Sequence, residues 1–175
     1  MSGIAARRHL LLFALLLVHA LLLSACGWHL RGSFYFPASM ERLYIEGTAQ
    51  YSELGVAIHN AFQGSNISVV SHAGQATAIL HILSDKSEQR ILTTDSSGRA
   101  TEYEVSYTLG FRMEDEKGGL MLPAQQVKSK REYRFDASNV LASGGEVERL
   151  KKDMINNSVQ QMLRRINAGL KSQLR

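Results

Sequence analysis

One cysteine, two prolines and a single tryptophan are all that the 175 residues hold of those three types. A lone thiol closes no internal disulfide, so the stapled frameworks of small exported domains are excluded and stability has to come from an ordinary hydrophobic core. Charge of one sign is scarce too: 20 basic against 16 acidic residues leave a formal +4, too little bulk positive charge to support nucleic-acid binding. Internal repeats and low-complexity stretches are missing. So are the motifs of hydrolytic, phosphate-binding and metal chemistry, with no H-E-x-x-H, no phosphate loop and no G-x-S-x-G, while His29, His59, His72 and His81 are scattered without ligand spacing. These absences point away from an enzyme and predict neither a cofactor nor a metal site.

The one cysteine stands where it carries most information. Arg7, Arg8 and His9 precede an apolar run over 10–23, interrupted only by His19, which ends in Leu23-Ser24-Ala25-Cys26-Gly27. A cationic start, an apolar core of this length and small residues before a cysteine make a bacterial lipobox. The run is short for a bilayer span, which needs roughly 20 apolar residues. The reading predicts a cleaved signal peptide over 1–25, acyl chains on Cys26, a lipidated lead over 26–39 and a single domain over 40–175. A chance cysteine after an ordinary signal, or a retained anchor helix, would be the plainer alternatives. Arg7 and Arg8 leave with the signal, so the net charge falls from +4 to +2. Any anionic partner must then be met by a local patch.

Along the remaining chain, Leu43-Tyr44-Ile45 reads as a first strand, and Leu54, Ile58, Ala61 and Phe62 recur at helical spacing before Gly64, a C-terminal cap. A second strand region opens with Ile67, Val69 and Val70 and continues through 78–83 toward Leu92. After the turn Asp95-Ser96-Ser97-Gly98, Tyr103, Val105, Tyr107, Leu109, Phe111 and Met113 alternate with polar residues, which predicts a strand with one buried and one polar face. Lys117-Gly118-Gly119 turns the chain into a partner strand over 125–135. Beyond Ser143-Gly144-Gly145 a final helix is expected, with Glu146 and Glu148 in its first turn and Arg164, Arg165 and Lys171 toward its end, as the helix dipole favours. The fold class is α+β: a β-α-β-β-β-α sandwich with both helices on one face of a mainly antiparallel four-stranded sheet.

The polar sheet face is the candidate site. Arg112 on one strand and Lys128, Lys130, Arg131 and Arg134 on the next gather cations, with Arg99 at the preceding turn; Lys128, Lys130 and Arg134 share parity, and Arg131 should point away or lie at a bulge. Guanidinium and ammonium groups suit phosphate, but lysines on an edge strand also serve to prevent sheet-to-sheet association. Glu102 and Glu104 share a face and could be imagined as an acid–base pair, although nearby cations make solvated ion pairing the better account. His81, inside an apolar strand, reads as structural.

The residues Cys26-Gly27-Trp28-His29-Leu30-Arg31-Gly32 resemble the mature N-terminus of the lipopolysaccharide-assembly lipoproteins of the LptE (RlpB) family. The similarity continues through Thr101-Glu102-Tyr103 opening a long strand, an aromatic-rich return strand and Met162-Leu163-Arg164-Arg165 in the terminal helix. The resemblance implies a non-enzymatic outer-membrane lipoprotein, anchored by acyl chains and facing the periplasm. It further implies a complex with the LptD β-barrel, whose lumen the domain plugs, and binding of lipopolysaccharide; the candidate contacts, Arg99, Arg112, Lys128, Lys130 and Arg134, come from the polar face read above and not from a residue-by-residue match, since Ser96 and Ser143 stand near places where a relative would carry a cation. Gly27 after the cysteine accords with outer-membrane sorting. Trp28 and Leu30 either cap the core near the tether or meet the barrel wall or lipid boundary, where an amphipathic ring is favoured, and Arg31 faces solvent or the partner. A free-standing periplasm-facing lipoprotein that binds an anionic amphiphile without a barrel is the alternative.

Overall fold

The structure, a computed structural model, describes residues 36–63, 65–135 and 140–173, of which 140–143 and 173 are described by backbone alone. Cys26, Trp28, Leu30, Arg31 and Gly64 lie outside these residues. A short 3-10 turn, Ala38–Met40, leads into β1 (Arg42–Glu46), α1 (Glu53–Phe62), β2 (Ser68–Val70), a second 3-10 turn, β3 (Ala78–Thr94), β4 (Ala100–Asp115), β5 (Leu120–Arg134) and α2 (Val140–Gln173). Phe36 and Met40 are already buried: Asn66 binds both the amide and the carbonyl of Phe36, and the Phe36 ring tilts against Phe62.

Two helices on one side of a sheet is the expected α+β arrangement, but the sheet has five strands rather than four and is mixed. Its order is β2-β1-β3-β4-β5. The region read as one strand from Ile67 onward is two strands, β2 and β3, separated by a 3-10 turn and pairing in parallel with opposite sides of β1. Composition could not separate them, because both halves are β-branched and apolar; a strand of three residues leaves almost no periodicity to read. Both hairpins are antiparallel. Their turns use one device: the Asp95 carboxylate accepts from the Ser97 and Arg99 amides and that of Asp115 from the Lys117 and Gly119 amides, while Gly98 and Gly118 take the positive φ.

Burial follows the alternation. Val105, Tyr107, Leu109, Phe111 and Met113 of β4 and Leu122 and Val127 of β5 turn inward beneath Met154, Val159, Met162, Ile166 and Leu170 of α2, with Leu54, Ile58 and Phe62 of α1 completing the core beside β1 and β3. α2 starts several residues before the expected point, so Gly144 and Gly145 are helical and Glu146 and Glu148 lie beyond the first turn. Each glycine costs about 1 kcal/mol relative to alanine, but extending an existing helix avoids the nucleation cost. β5 begins at Leu120, earlier than the expected 125, and accommodates Pro123 where the register with β4 slips between Met113 and Phe111. No described helix is long and apolar enough to cross a membrane.

β1 stops where Gly47, at φ +87°, lies against the backbone of Ile82. A side chain there would collide with the Ile82 carbonyl as well as strain the backbone. Gly47→Ala is expected to lose about 2 kcal/mol of stability or more, measured by urea unfolding. Gly74→Ala, whose added Cβ would meet no neighbour, should change stability far less.

Candidate functional site

The sheet face opposite the helices carries Glu102, Glu104 and Arg112 of β4 between Lys86, Glu88 and Arg90 of β3 and Lys128, Lys130 and Arg134 of β5. Alternation puts all of these on one side, which is why the core residues between them can be uniformly apolar. Lys128, Lys130 and Arg134 share this face as expected. Arg131 has the opposite parity, opposite Val105, and its guanidinium donates to the Lys130 carbonyl at 2.9 Å.

The cations do not stand alone. Glu104, almost fully buried, holds Arg90 at 2.8 Å and Lys130 at 3.1 Å, and Glu102 holds Arg134 at 3.2 Å while accepting from the Thr93 hydroxyl. Hydrogen bonds from Arg90 and then Lys130 keep the Glu104 carboxyl below its ordinary range, and those from Thr93 and then Arg134 do the same for Glu102. The two glutamates are therefore ion-pair acceptors and not an acid–base couple, whose working acid would need its proton held at higher pH. Arg99 pairs with Asp95 within the β3–β4 turn, and Arg112 with Glu114. Of the five basic candidates only Lys128, opposite Thr108, has no ion-pair partner among the described residues.

A second chain of charges crosses the sheet at its other end. His81 on β3 meets Glu46 of β1 through Nδ1 at 2.6 Å and Glu114 of β4 through Nε2 at 2.8 Å, and Glu114 continues to Arg112. His81 is thus a structural histidine tying three strands together. Neither this chain nor Arg90 was anticipated from composition, although the i, i+2 spacing of Lys86, Glu88 and Arg90 was visible in the sequence and marks a single face.

On the helix side, Tyr107 is buried and donates to Asp85 at 2.7 Å; burial first, and then the bond to Asp85, push its phenol well above the ordinary range. Toward the hairpin end, Tyr103 stacks on Tyr133 and meets Phe135 edge-on. A cleft of about 280 Å³ lies beside Tyr107, between Glu53, Asp85, Lys151 and Ile155. It collects no group of metal-ligating side chains among the described residues.

Comparison with known proteins places this architecture among lipoproteins. The family described as LptE: Lipopolysaccharide-assembly matches residues 40–166. The LPS-assembly lipoprotein LptE of Pectobacterium atrosepticum is 26% identical over 162 residues, covering 89% of this chain and 84% of its own. That of Yersinia enterocolitica is 25% identical over 165 residues, covering 91% and 76%. Among solved structures, an uncharacterized lipoprotein B from Nitrosomonas europaea is 31% identical with a TM-score of 0.67 over 83% of this chain and 96% of its own. The rare lipoprotein B of Shewanella oneidensis, 23% identical with a TM-score of 0.64 over 76% and 98%, shares the fold.

Because native Glu104 is held below its ordinary value of 4.5, its ion pairs stabilise the fold fully above that pH and are lost as pH falls through the native value. Glu104→Gln should therefore flatten the dependence of Tm on pH below about 4.5, where the wild type loses stability on acidification. Thermal melts across the acid range measure the difference in slope.

Proposed function

The chain belongs to the LptE family, and on that premise we propose that it is a non-enzymatic outer-membrane lipoprotein, acylated at Cys26, that complexes with the LptD β-barrel, occupies its lumen as a plug and assists lipopolysaccharide assembly at the membrane surface. The observation that carries the proposal beyond the family match is the open sheet face. It presents acids and bases interleaved across the strands, nearly all satisfied within the sheet. Such a wall is at ease in a hydrated lumen and requires neither a lipid environment nor a strongly charged partner. The 17 residues of β3 and 34 of α2 reach roughly 50 Å, enough to run the height of a barrel in a bilayer about 40–45 Å thick. Acyl chains on Cys26 would hold the chain at the membrane without any part of the folded body entering lipid. Trp28, Leu30 and Arg31, next to the anchor, then meet the barrel wall or the lipid boundary.

Lipopolysaccharide contact falls first to Lys128, whose ammonium is free to meet a phosphate. Arg134 and Arg99, at the exposed margins, can follow by exchanging a carboxylate for a phosphate, and Lys130 and Arg112 can add a phosphate contact while keeping Glu104 and Glu114. An exposed ion pair contributes no more than about 1 kcal/mol, so a multivalent phosphate ligand can displace it, and charge-assisted bonds to phosphate are the stronger kind.

Purification of the tagged full-length chain in mild detergent should recover the barrel at equimolar yield; recovery without a barrel would instead favour a free-standing lipoprotein. Cys26→Ala should move the chain out of the membrane fraction, scored by fractionation and immunoblot. Neutralising Lys128, Lys130 and Arg134 together to Gln should weaken binding to purified lipopolysaccharide about tenfold, a loss of about 1.4 kcal/mol, while leaving barrel recovery unchanged. Unaltered lipopolysaccharide binding would make these residues guardians of the strand edge.

A further inference from the structure

Among the described residues the sheet has three stretches of edge with no strand beside them, and they are treated differently. β2 has only three residues to offer. On β5, Pro123 interrupts the run, and two outer carbonyls are already occupied, Gln126 by the Arg165 guanidinium of α2 at 2.7 Å and Lys130 by Arg131. These are the devices that keep an edge from accepting another strand. β3 has none of them. β1 pairs only with 78–81 and then turns away at Gly47, so from residue 82 to Thr94 the outer edge of β3 has no strand beside it among the described residues.

The backbone groups on that edge can be assigned. The Phe135 amide donates to the Thr101 carbonyl, so odd-numbered residues of this part of β4 address β5 and even-numbered ones address β3. Arg90, Glu88 and Lys86, opposite Glu104, Ser106 and Thr108, bond inward. Asp85, Ser87 and Gln89 are left with their amides and carbonyls directed outward. The charged side chains that usually guard such an edge are engaged elsewhere, Lys86 with Glu88 along the strand and Arg90 with Glu104 over the face.

Two register slips bracket this stretch, at Leu83 and Leu92. Leu83, Ile91 and Leu92 are 51%, 56% and 38% exposed, half of the large hydrophobics exposed among the described residues. An open ladder of donors and acceptors, closed at each end by an exposed apolar side chain, is the form of a strand-addition site.

We propose that β3 accepts, along residues 84–90, an extended loop segment of the barrel partner as a sixth strand. Its apolar side chains rest on Leu83 at one end and on Ile91 and Leu92 at the other, and an acid and a base lie opposite Lys86 and Glu88. The segment comes from a loop because the strands of a closed barrel have no free edge. This inference rests on the functional reading above and names the contact through which the two chains hold each other.

Ser87→Pro and Gln89→Pro remove an outward amide without taking a donor from the β3–β4 ladder, and proline is tolerated where the amide faces solvent. Each should weaken recovery of the barrel by full-length chain at least tenfold, whereas Ser87→Ala, which keeps the amide, should not. In the wild type, the amides of Ser87 and Gln89 should exchange with deuterium at least tenfold more slowly in the barrel complex than in the free chain. That measurement decides the matter if a proline variant fails to fold. Wild-type chain that captures no barrel overturns the functional reading together with this contact. Capture that both proline variants retain, with exchange at Ser87 and Gln89 unchanged, overturns strand addition alone. Cross-links between Ser87→Cys positions of two copies would overturn it in favour of self-pairing.

Discussion

Burial of one face of β4 beneath α2 is the constraint on which the rest of the molecule depends. Once Val105, Tyr107, Leu109, Phe111 and Met113 are committed to the core, the pleat obliges Glu102, Glu104, Thr108 and Arg112 to the opposite side, because a slip of one residue would reverse every side chain. Neighbouring strands inherit the same division through their register. The charge lattice of the open face is thus a consequence of the hydrophobic core and needs no separate organising force.

Within that lattice, central and peripheral pairs do different things. Glu104 lies on β4, between β3 and β5, with a cation arriving from each neighbour, so losing it would leave two cations facing each other across the sheet. Arg134 and Arg99 sit at the margins and are far more exposed. Pairs of that kind are weak and exchangeable. The interior of the face is therefore suited to holding the sheet together, and its rim to meeting charged groups on another molecule.

The unequal strand lengths make a second division. β1 and β2 support the sheet only at the end near Phe36, where the His81 bridge joins β1 to β4 through β3. Past Gly47 the sheet narrows, among the described residues, to three strands, and α2 covers β4 and β5 while β3 becomes exposed on both faces. The better-packed half carries the stability of the domain, and the narrower half offers backbone and side chains to partners.

Much of this was legible in the chain. The parity of Lys128, Lys130 and Arg134, the opposite parity of Arg131, the turn chemistry of Asp95 and Gly98 and the amphipathic stripe of α2 follow from local geometry, which acts between residues only a few positions apart. The Cys26 motif and the heptad that follows it were likewise open to direct reading. What only the tertiary structure decided was which strand lies beside which. That β1 sits between β2 and β3, that Arg90 and Lys130 converge on Glu104, that His81 spans Glu46 and Glu114, and that β3 keeps an edge with no strand beside it among the described residues all depend on pairings across tens of residues. Periodicity reports which way a side chain faces, and it carries no information about the neighbour it will meet there.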